Sequence, residues 1–250
     1  MPISFRRSVP AGAGRFAPAL LMCLLSFSAA PAIGQDTPAP LTPLEKLFAR
    51  FDLAVVASGS LSTTTSGIEK RDATATTTVN GVKVPDPSTL TIRPSNTVGE
   101  LATLRYIAKP YVGFEFNFGN LRYTQDYTFV PPPSQTILVG GVQSGVRELT
   151  LGYVAHLPWH PFGVSPYAGV GGGTIAFHPT IGGGQGLPFQ YRAAYYYNLG
   201  LEDTFPGSNF GMRLGFRQLI YLSPDFLQNY LTITRRTRTS EPIIGFFLRF

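Results

Sequence analysis

Cysteine is nearly absent from the chain, and this absence excludes two kinds of site. The one cysteine among 250 residues, Cys23, lies in an apolar N-terminal segment that we expect to be removed. The remaining sequence can therefore form neither a disulfide framework nor a thiolate metal site. We predict no metal ion and no cofactor for this protein.

Charge is also scarce and only mildly unbalanced. The chain has 20 lysine and arginine residues against 14 aspartate and glutamate residues. Arg6, Arg7 and Arg15 fall in the N-terminal segment, so 17 basic residues remain against 14 acidic ones, a net charge near +3. Nucleic-acid binders usually carry a concentrated basic face. We therefore predict no nucleic-acid partner.

Long apolar runs are confined to the N terminus. A basic segment precedes FAPALLMCLLSFSAA, and Ala30-Pro31-Ala32 follows it, an order typical of a secretory signal peptide. We predict a signal peptide over residues 1–34 and a Pro-rich periplasmic linker over residues 35–50, with a short helical turn in LEKLFARF. A membrane anchor is the alternative, but Pro18 interrupts the run. No later stretch reaches the ~18 apolar residues of a spanning helix.

The remainder, residues 51–250, alternates apolar and polar residues with a period of two, the pattern of β-strands. Between Tyr111 and Tyr123, for example, three phenylalanines and a valine alternate with Gly, Glu and Asn. The alternation predicts eight strands, which cover residues 51–61, 98–108, 111–123, 146–157, 164–177, 189–205, 210–222 and 241–250.

Segment length and loop length both indicate a membrane barrel. The segments have 10 to 17 residues, whereas soluble strands usually have ~5–6 and tilted membrane strands need about 9–11. Short turns at Lys109-Pro110, PWHPFG and PGSN alternate with long loops over residues 62–97, 124–145, 178–188 and 223–240. We predict an all-β fold, an eight-stranded antiparallel up-and-down transmembrane β-barrel. A soluble periplasmic sandwich and a ten-stranded barrel are alternatives.

Two segments carry a family resemblance. The Gly-rich PYAGVGGG and the C-terminal alternation of Ile244, Phe246, Leu248 and Phe250 resemble those of small eight-stranded outer-membrane β-barrels of Gram-negative-type bacteria, the superfamily of the OmpA transmembrane domain, OmpX and the opacity-type proteins. The resemblance implies a bacterial outer-membrane location. It also implies that these four alternating C-terminal residues are an assembly signal that the barrel-assembly machinery recognises during insertion.

The interior of such a barrel is about wide enough for its own side chains, so the inward face predicts an ion-paired plug. A small conducting pore and a catalytic cluster are the alternatives. Three opposite-charge pairs are predicted at similar depth: Arg105 with Glu115, Glu202 with Arg213, and Asp52 with Arg249. A second layer is predicted from Arg192, Glu148 and Arg217.

The histidines do not form a hydrolase pattern. His156 is predicted to point inward with no serine beside it, whereas His160 lies in a turn and His178 at a loop mouth. No GxSxG sequence is present. We therefore predict that the protein is not an enzyme, with a lipid-modifying hydrolase as a minor alternative.

The long loops are the predicted binding elements. The Thr-rich first loop contains Asn80-Gly81, a hairpin signal, although a solvated loop is an equal alternative. Arg235, Arg236 and Arg238 are candidates for contact with lipopolysaccharide phosphates, or are a solvated charge run. The predicted function is an envelope-structural or surface-interaction role, such as adhesion, with a narrow porin-like channel for small solutes as alternative. Outer-membrane lipid and lipopolysaccharide are the predicted partners, and the loop ligand is unknown.

Overall fold

The computed structural model describes residues 42–250, apart from residues 63–65, 69–75, 80, 86–89, 110, 130–136, 229–232 and 234. The predicted signal peptide, residues 1–34, lies outside the described residues. The described part of the chain contains no helix that is long and apolar enough to cross a membrane.

The first described element is a short helix, α1 (Pro43–Phe48), within LEKLFARF and its preceding residues. Thr42 caps its N terminus: the Glu45 amide donates to the Thr42 hydroxyl, and the Glu45 carboxylate accepts from the Thr42 backbone N–H at 2.7 Å. Pro43 occupies the first helical turn, where no backbone donor is needed. The helix is exposed along its length.

Twelve strands are described in the rest of the chain. They are β1 (Phe51–Ser62), β2 (Ser66–Ile68), β3 (Thr76–Val79), β4 (Val82–Pro85), β5 (Leu90–Pro94), β6 (Thr97–Lys109), β7 (Val112–Phe129), β8 (Ile137–His156), β9 (Ser165–Pro179), β10 (Gln190–Thr204), β11 (Phe210–Leu222) and β12 (Arg236–Arg249). A 3₁₀ turn, Pro161–Gly163, connects β8 to β9.

Eight of these strands form a closed antiparallel barrel, in the order β1, β6, β7, β8, β9, β10, β11 and β12, with β12 pairing back to β1. The predicted fold class is confirmed. Asp52 lies opposite Arg249 across the closing seam, and the Phe250 N–H donates to the Phe51 carbonyl at 3.1 Å. The last strand therefore ends in a complete hydrogen-bond ladder and leaves no open edge at the seam.

The strands are longer than the alternation predicted. The predicted loop over residues 124–145 is partly strand, because β7 and β8 pair as far as Phe129 and Ile137. The loop over residues 223–240 is shortened by β12, which begins at Arg236. In these stretches polar residues occupy the outward face as well, so the contrast that marks a strand in the sequence is weak.

The first long loop also contains strands. β5 pairs with residues 125–129 of β7, and β2 pairs with β5. The predicted hairpin is present as β3 and β4, with Gly81 at a positive φ of 80° in the turn, whereas Asn80 lies outside the described residues. Because β3 and β4 form a separate two-stranded sheet, the ten-stranded barrel is not formed.

The barrel has an inverted polarity. Large apolar side chains on the outward face are exposed, among them Phe116, Leu151 and Phe246. Charged side chains on the inward face are buried, and Arg105, Arg213 and Arg217 are each 1% exposed. The buried side chains that form the core of the protein therefore lie inside the barrel, in its lumen.

Candidate functional site

An ionic cluster fills the lower lumen, which is the part of the lumen nearest the start of β1 and the end of β12, the two termini of the barrel. The Arg105 guanidinium lies 2.9 Å from Glu115 Oε2 and also contacts Glu202. The Arg213 guanidinium donates to Glu202 Oε1 at 2.9 Å and to Asp52 Oδ1 at 3.1 Å. Each cation thus bridges two carboxylates, which compensates for removing all five groups from water.

The structure brings together two of the three predicted pairs, Arg105 with Glu115 and Glu202 with Arg213. It does not join Asp52 to Arg249. Although they face each other in register, Asp52 accepts from Arg213, and Arg249 lies 3.6 Å from Glu202 at the mouth of the lumen. Long side chains in a narrow barrel reach past the neighbouring strand, so a hairpin register does not determine their partners.

Aromatic rings pack against the buried guanidinium groups. The Arg105 guanidinium stacks over the Tyr167 ring at 4.3 Å, and that of Arg217 over the Tyr196 ring at 4.4 Å. The Tyr196 hydroxyl donates to Glu115 Oε1 at 2.8 Å. Tyr196 therefore links the lower cluster to the layer above it.

That second layer is centred on Arg217, which contacts Glu148 and donates to Glu241 at 2.8 Å. Arg217 and Glu148 were predicted here, but Glu241 was missed because it lies at the predicted start of the last strand. Arg192 is not a member. Its guanidinium instead pairs with Asp225 at 2.7 Å at the opposite end of the barrel from the termini.

The part of the lumen farther from the termini, which we call the upper lumen, is filled by apolar and aromatic side chains. The alternation pattern does not predict this cluster, because Tyr221 lies between Ile220 and Leu222 and Phe177 follows Ala176, so apolar residues occur on both faces of these strands. Its buried members are Ile92, Tyr123, Tyr127, Val142, Val146, Ile175, Phe177, Ala194, Tyr196, Leu219, Tyr221 and Phe226.

Residues 223–228, which follow β11 and which we call the strap, close the upper lumen with Phe226, which is 1% exposed. The Phe226 N–H donates to Gln190 Oε1 at 3.0 Å, and Gln125 Nε2 donates to the Pro224 carbonyl at 3.0 Å. Phe226 and Leu227 have positive φ angles of 49° and 60°, an uncommon conformation for such residues. Polar contacts to the barrel wall therefore hold a strained backbone in place.

Asp225 is the charged fastening of this strap. Partial burial opposes its ionisation, but hydrogen bonds from Gln190, from the Leu227 amide and from Arg192 outweigh that effect and hold the pKa of Asp225 below its usual value. The carboxylate is therefore ionised near neutral pH.

A hollow of about 260 Å³ opens at the lower mouth between His156, His160, Ser165 and Arg249. No serine was predicted beside His156, but Ser165 lines the same hollow. No hydrogen bond joins Ser165 to either histidine among the described residues, and His156 Nε2 instead lies 3.5 Å from Glu202. No group of His, Cys, Asp and Glu in the described ranges is arranged to hold a metal ion.

The three arginines predicted for lipopolysaccharide contact are not grouped in a loop. Arg236 and Arg238 are exposed on the outward face of β12, and Arg235 immediately precedes the strand. The Arg236 guanidinium lies 5.4 Å from the Tyr195 ring. The predicted assembly-signal residues Ile244 and Phe246 point outward, and Phe250 is also exposed.

A closed barrel with apolar side chains outside and ion pairs inside is the arrangement that lipid requires. The fold is that of a small outer-membrane β-barrel. No protein-family model matches the sequence, and no curated protein matches it.

Several solved outer-membrane barrels are similar to this chain. Neisserial surface protein A (NspA) is 11% identical, with a TM-score of 0.48 over 80% of this chain and 97% of NspA. The outer membrane protein OprG from Pseudomonas aeruginosa is 12% identical, with a TM-score of 0.48 over 80% of this chain and 95% of OprG. The outer membrane protein AlkL is 17% identical, with a TM-score of 0.42 over 87% of this chain and 97% of AlkL. These likenesses concern the barrel fold alone.

Proposed function

We propose that the chain is an integral bacterial outer-membrane protein that anchors a binding surface outside the cell. The barrel serves as the anchor rather than as a passage, because both halves of its lumen are filled by buried side chains. The termini lie at the periplasmic end in this proposal, and the upper lumen faces the exterior. We propose no enzymatic activity.

The proposal rests on the part of the sheet that extends beyond the barrel. β7 and β8 continue past the barrel, β5 extends this pair, and β2 adds a further strand. β2 has no second strand partner among the described residues and is therefore an edge strand. A paired but incomplete sheet edge suits the recognition of an extended segment of another protein by strand addition.

A gated narrow channel for small solutes is the second candidate. The observation that favours it is the strap, since Phe226 closes the upper lumen from a loop rather than from a strand. The buried ionic layers below disfavour it, because a solute would have to separate paired charges.

Membrane partners follow from the proposed location. The outward apolar face contacts lipid, and Arg235, Arg236 and Arg238 are proposed to lie near lipopolysaccharide phosphates. Ile244, Phe246, Leu248 and Phe250 are proposed as the signal for the barrel-assembly machinery. Deletion of Phe250 is expected to lower outer-membrane yield without lowering synthesis.

The first experiment tests location and closure. Outer-membrane fractions are run on a denaturing gel with and without boiling, because a closed barrel resists detergent until heated. A different migration of the unboiled band in the outer-membrane fraction is expected. Recovery in the soluble periplasm without such a shift would overturn the proposal. Discrete conductance steps of the wild-type protein in planar bilayers would favour the channel instead.

The second experiment tests the sheet edge. Cells that display the chain are measured for adherence to one another and to a fixed layer of cultured cells. Replacing residues 66–94 by a short Gly-Ser linker removes all four strands from β2 to β5 and is expected to abolish adherence while the heat shift remains. The matched control replaces residues 76–85 only, which removes β3 and β4. Equal adherence of both variants would contradict the sheet-edge proposal.

A further inference from the structure

We propose that a cationic notch on the outer wall of the barrel binds the phosphate of an outer-leaflet lipid headgroup. The notch is formed by Arg122 on β7, Gly145 and Arg147 on β8, and His178 on β9. This inference rests on the proposed outer-membrane location. It is separate from the arginines of β12.

The strand register brings these residues together. Gly145 lies opposite Arg122 on one side and opposite His178 on the other, and all three positions face outward. Arg147 is opposite Asn120, so it lies diagonally across from Arg122, at a Cα separation of about 7–8 Å. Two arginines and a histidine therefore surround a position without a side chain.

Gly145 provides the floor of the notch. A Cβ atom at this position would meet only the His178 carbonyl oxygen, at 3.9 Å. The neighbouring strands thus leave room above this residue, and the surrounding surface groove has a volume of about 580 Å³. The absence of a side chain is not required for close strand packing here, in contrast to Gly152, where a Cβ would lie 2.5 Å from the Val170 carbonyl oxygen.

Within the described part of the chain, neither guanidinium group has an acidic partner. Arg122 and Arg147 are exposed, and among the described residues no carboxylate lies within 4.0 Å of either. The acidic side chain that also lines the groove, Glu100, accepts a hydrogen bond from Asn120 at 3.1 Å. The His178 ring packs edge-on against Phe189 with centroids 4.0 Å apart. The notch therefore has donors for an anion, whereas Glu100 is engaged at its rim.

The height of the notch on the wall identifies the source of the anion. Phe118 and Leu149 are the next outward residues below Asn120 and Arg147, and they are 46% and 45% exposed. Two strand residues span about 7 Å, so Arg147 lies one outward step and Arg122 two outward steps above the apolar belt. A lipid whose acyl chains cover the belt would place its phosphate at this level. A soluble anion would have no contact with the belt.

Apolar residues flank the cationic centre. Val98 is 72% exposed beside Glu100, and Ile181 is exposed on the loop after β9, where a second groove shares Arg122, Gly145 and His178. The continuous surface alternates apolar flanks with a basic centre. This amphiphilic character fits a phosphorylated glycolipid better than an acidic protein, which would leave the lipid-facing flanks uncovered.

The test measures lipid retention by the folded full chain. Purified protein in detergent is incubated with a bis-phosphorylated glucosamine disaccharide lipid or with its dephosphorylated form, washed, and analysed by native mass spectrometry. The wild type is expected to retain the phosphorylated lipid preferentially. The double variant Arg122→Gln, Arg147→Gln is expected to bind it at least about tenfold more weakly, because charge-assisted contacts are lost. Gly145→Glu, which places an anion in the notch, is expected to act in the same direction.

The matched control removes equal charge at the other end of the barrel. Arg50→Gln with Lys109→Gln neutralises two exposed cations near the termini and is expected to retain the lipid as the wild type does. Equal weakening by both double variants would show a general charge effect and overturn the notch. Equal retention of the two lipid forms, or displacement by millimolar inorganic phosphate, would overturn a lipid-phosphate site. The heat shift of every variant is checked separately, so a failure of the barrel or its location is distinguished from a failure of the notch.

Discussion

The lower and upper lumen are built on the same inward faces of the same strands, yet they are filled in opposite ways. In the lower lumen, Arg105 and Arg213 are surrounded by carboxylates and stacked on Tyr167. In the upper lumen, Phe177 and Tyr221 pack with aliphatic side chains, with ring centroids 5.8 Å apart. Barrel closure requires a filled interior, but it does not specify the chemistry of the filling.

The two halves of the lumen differ in how strongly their stability depends on any single side chain. A buried ion cluster is sensitive to the loss of a single partner, since the remaining charges stay desolvated. An apolar cluster loses only the contacts and the volume of the deleted atoms. The lower lumen is therefore expected to be the more cooperative half.

The largest effect is expected for Arg213→Met, which leaves Asp52 and Glu202 short of a cation. Breaking a buried ion pair on one side costs about 3–5 kcal/mol. The free energy of unfolding is measured by urea titration of the reconstituted barrel. A loss below about 1 kcal/mol would mean that water compensates these charges.

Exchanging the charges is expected to give little rescue. In the double variant Glu202→Arg, Arg213→Glu, the new cation at position 202 would face Arg105, which contacts Glu202 in the wild type. A full recovery of stability would show that the Glu202 and Arg213 pair is independent of Arg105.

The next effect is expected in the upper lumen. Phe177→Ala removes a fully buried ring and is expected to cost about 3–4 kcal/mol, the lower part of the range for phenylalanine in a packed core. The matched control is Phe116→Ala on the outward face, where lipid can fill the space and the loss should be smaller. The same urea titration compares them, and equal losses would contradict the contrast between lumen and wall.

A smaller and more local effect is expected at the strap. Phe226→Ala is expected to cost about 1–2 kcal/mol, less than a strand phenylalanine, because a loop can collapse into the space. Hydrogen exchange at the upper rim should become faster, while exchange in β1 and β12 stays unchanged. Faster exchange throughout the barrel would assign the strap a global role.

The smallest effect is the pH response of the strap. Because the pKa of folded Asp225 is below its unfolded value of about 3.9, its stabilisation is complete above that value. It is lost as the pH falls through the folded pKa. Proteolysis within residues 223–228 is expected to be faster at acidic pH, and Asp225→Asn should be cleaved readily at neutral pH. Protection of that variant at neutral pH would exclude Asp225 as the fastening.

The sequence by itself determined the barrel. Alternation over residues such as Val112, Phe114 and Phe116 specifies which face meets lipid, and the alternating turn lengths specify antiparallel neighbours. These are local properties, because side chains on a strand alternate regardless of what the strand pairs with. The pairs closest to their turns, such as Arg105 with Glu115, follow from the same local geometry.

Only the tertiary structure decided what meets in the lumen and on the wall. Asp52 meets Arg213 rather than Arg249, Phe226 reaches into the upper lumen from a loop, and Arg122, Arg147 and His178 share one notch across three strands. These contacts depend on the shear and curvature of the closed barrel, which set the height at which each strand presents its side chains. The alternation of residues along a single strand does not specify that height.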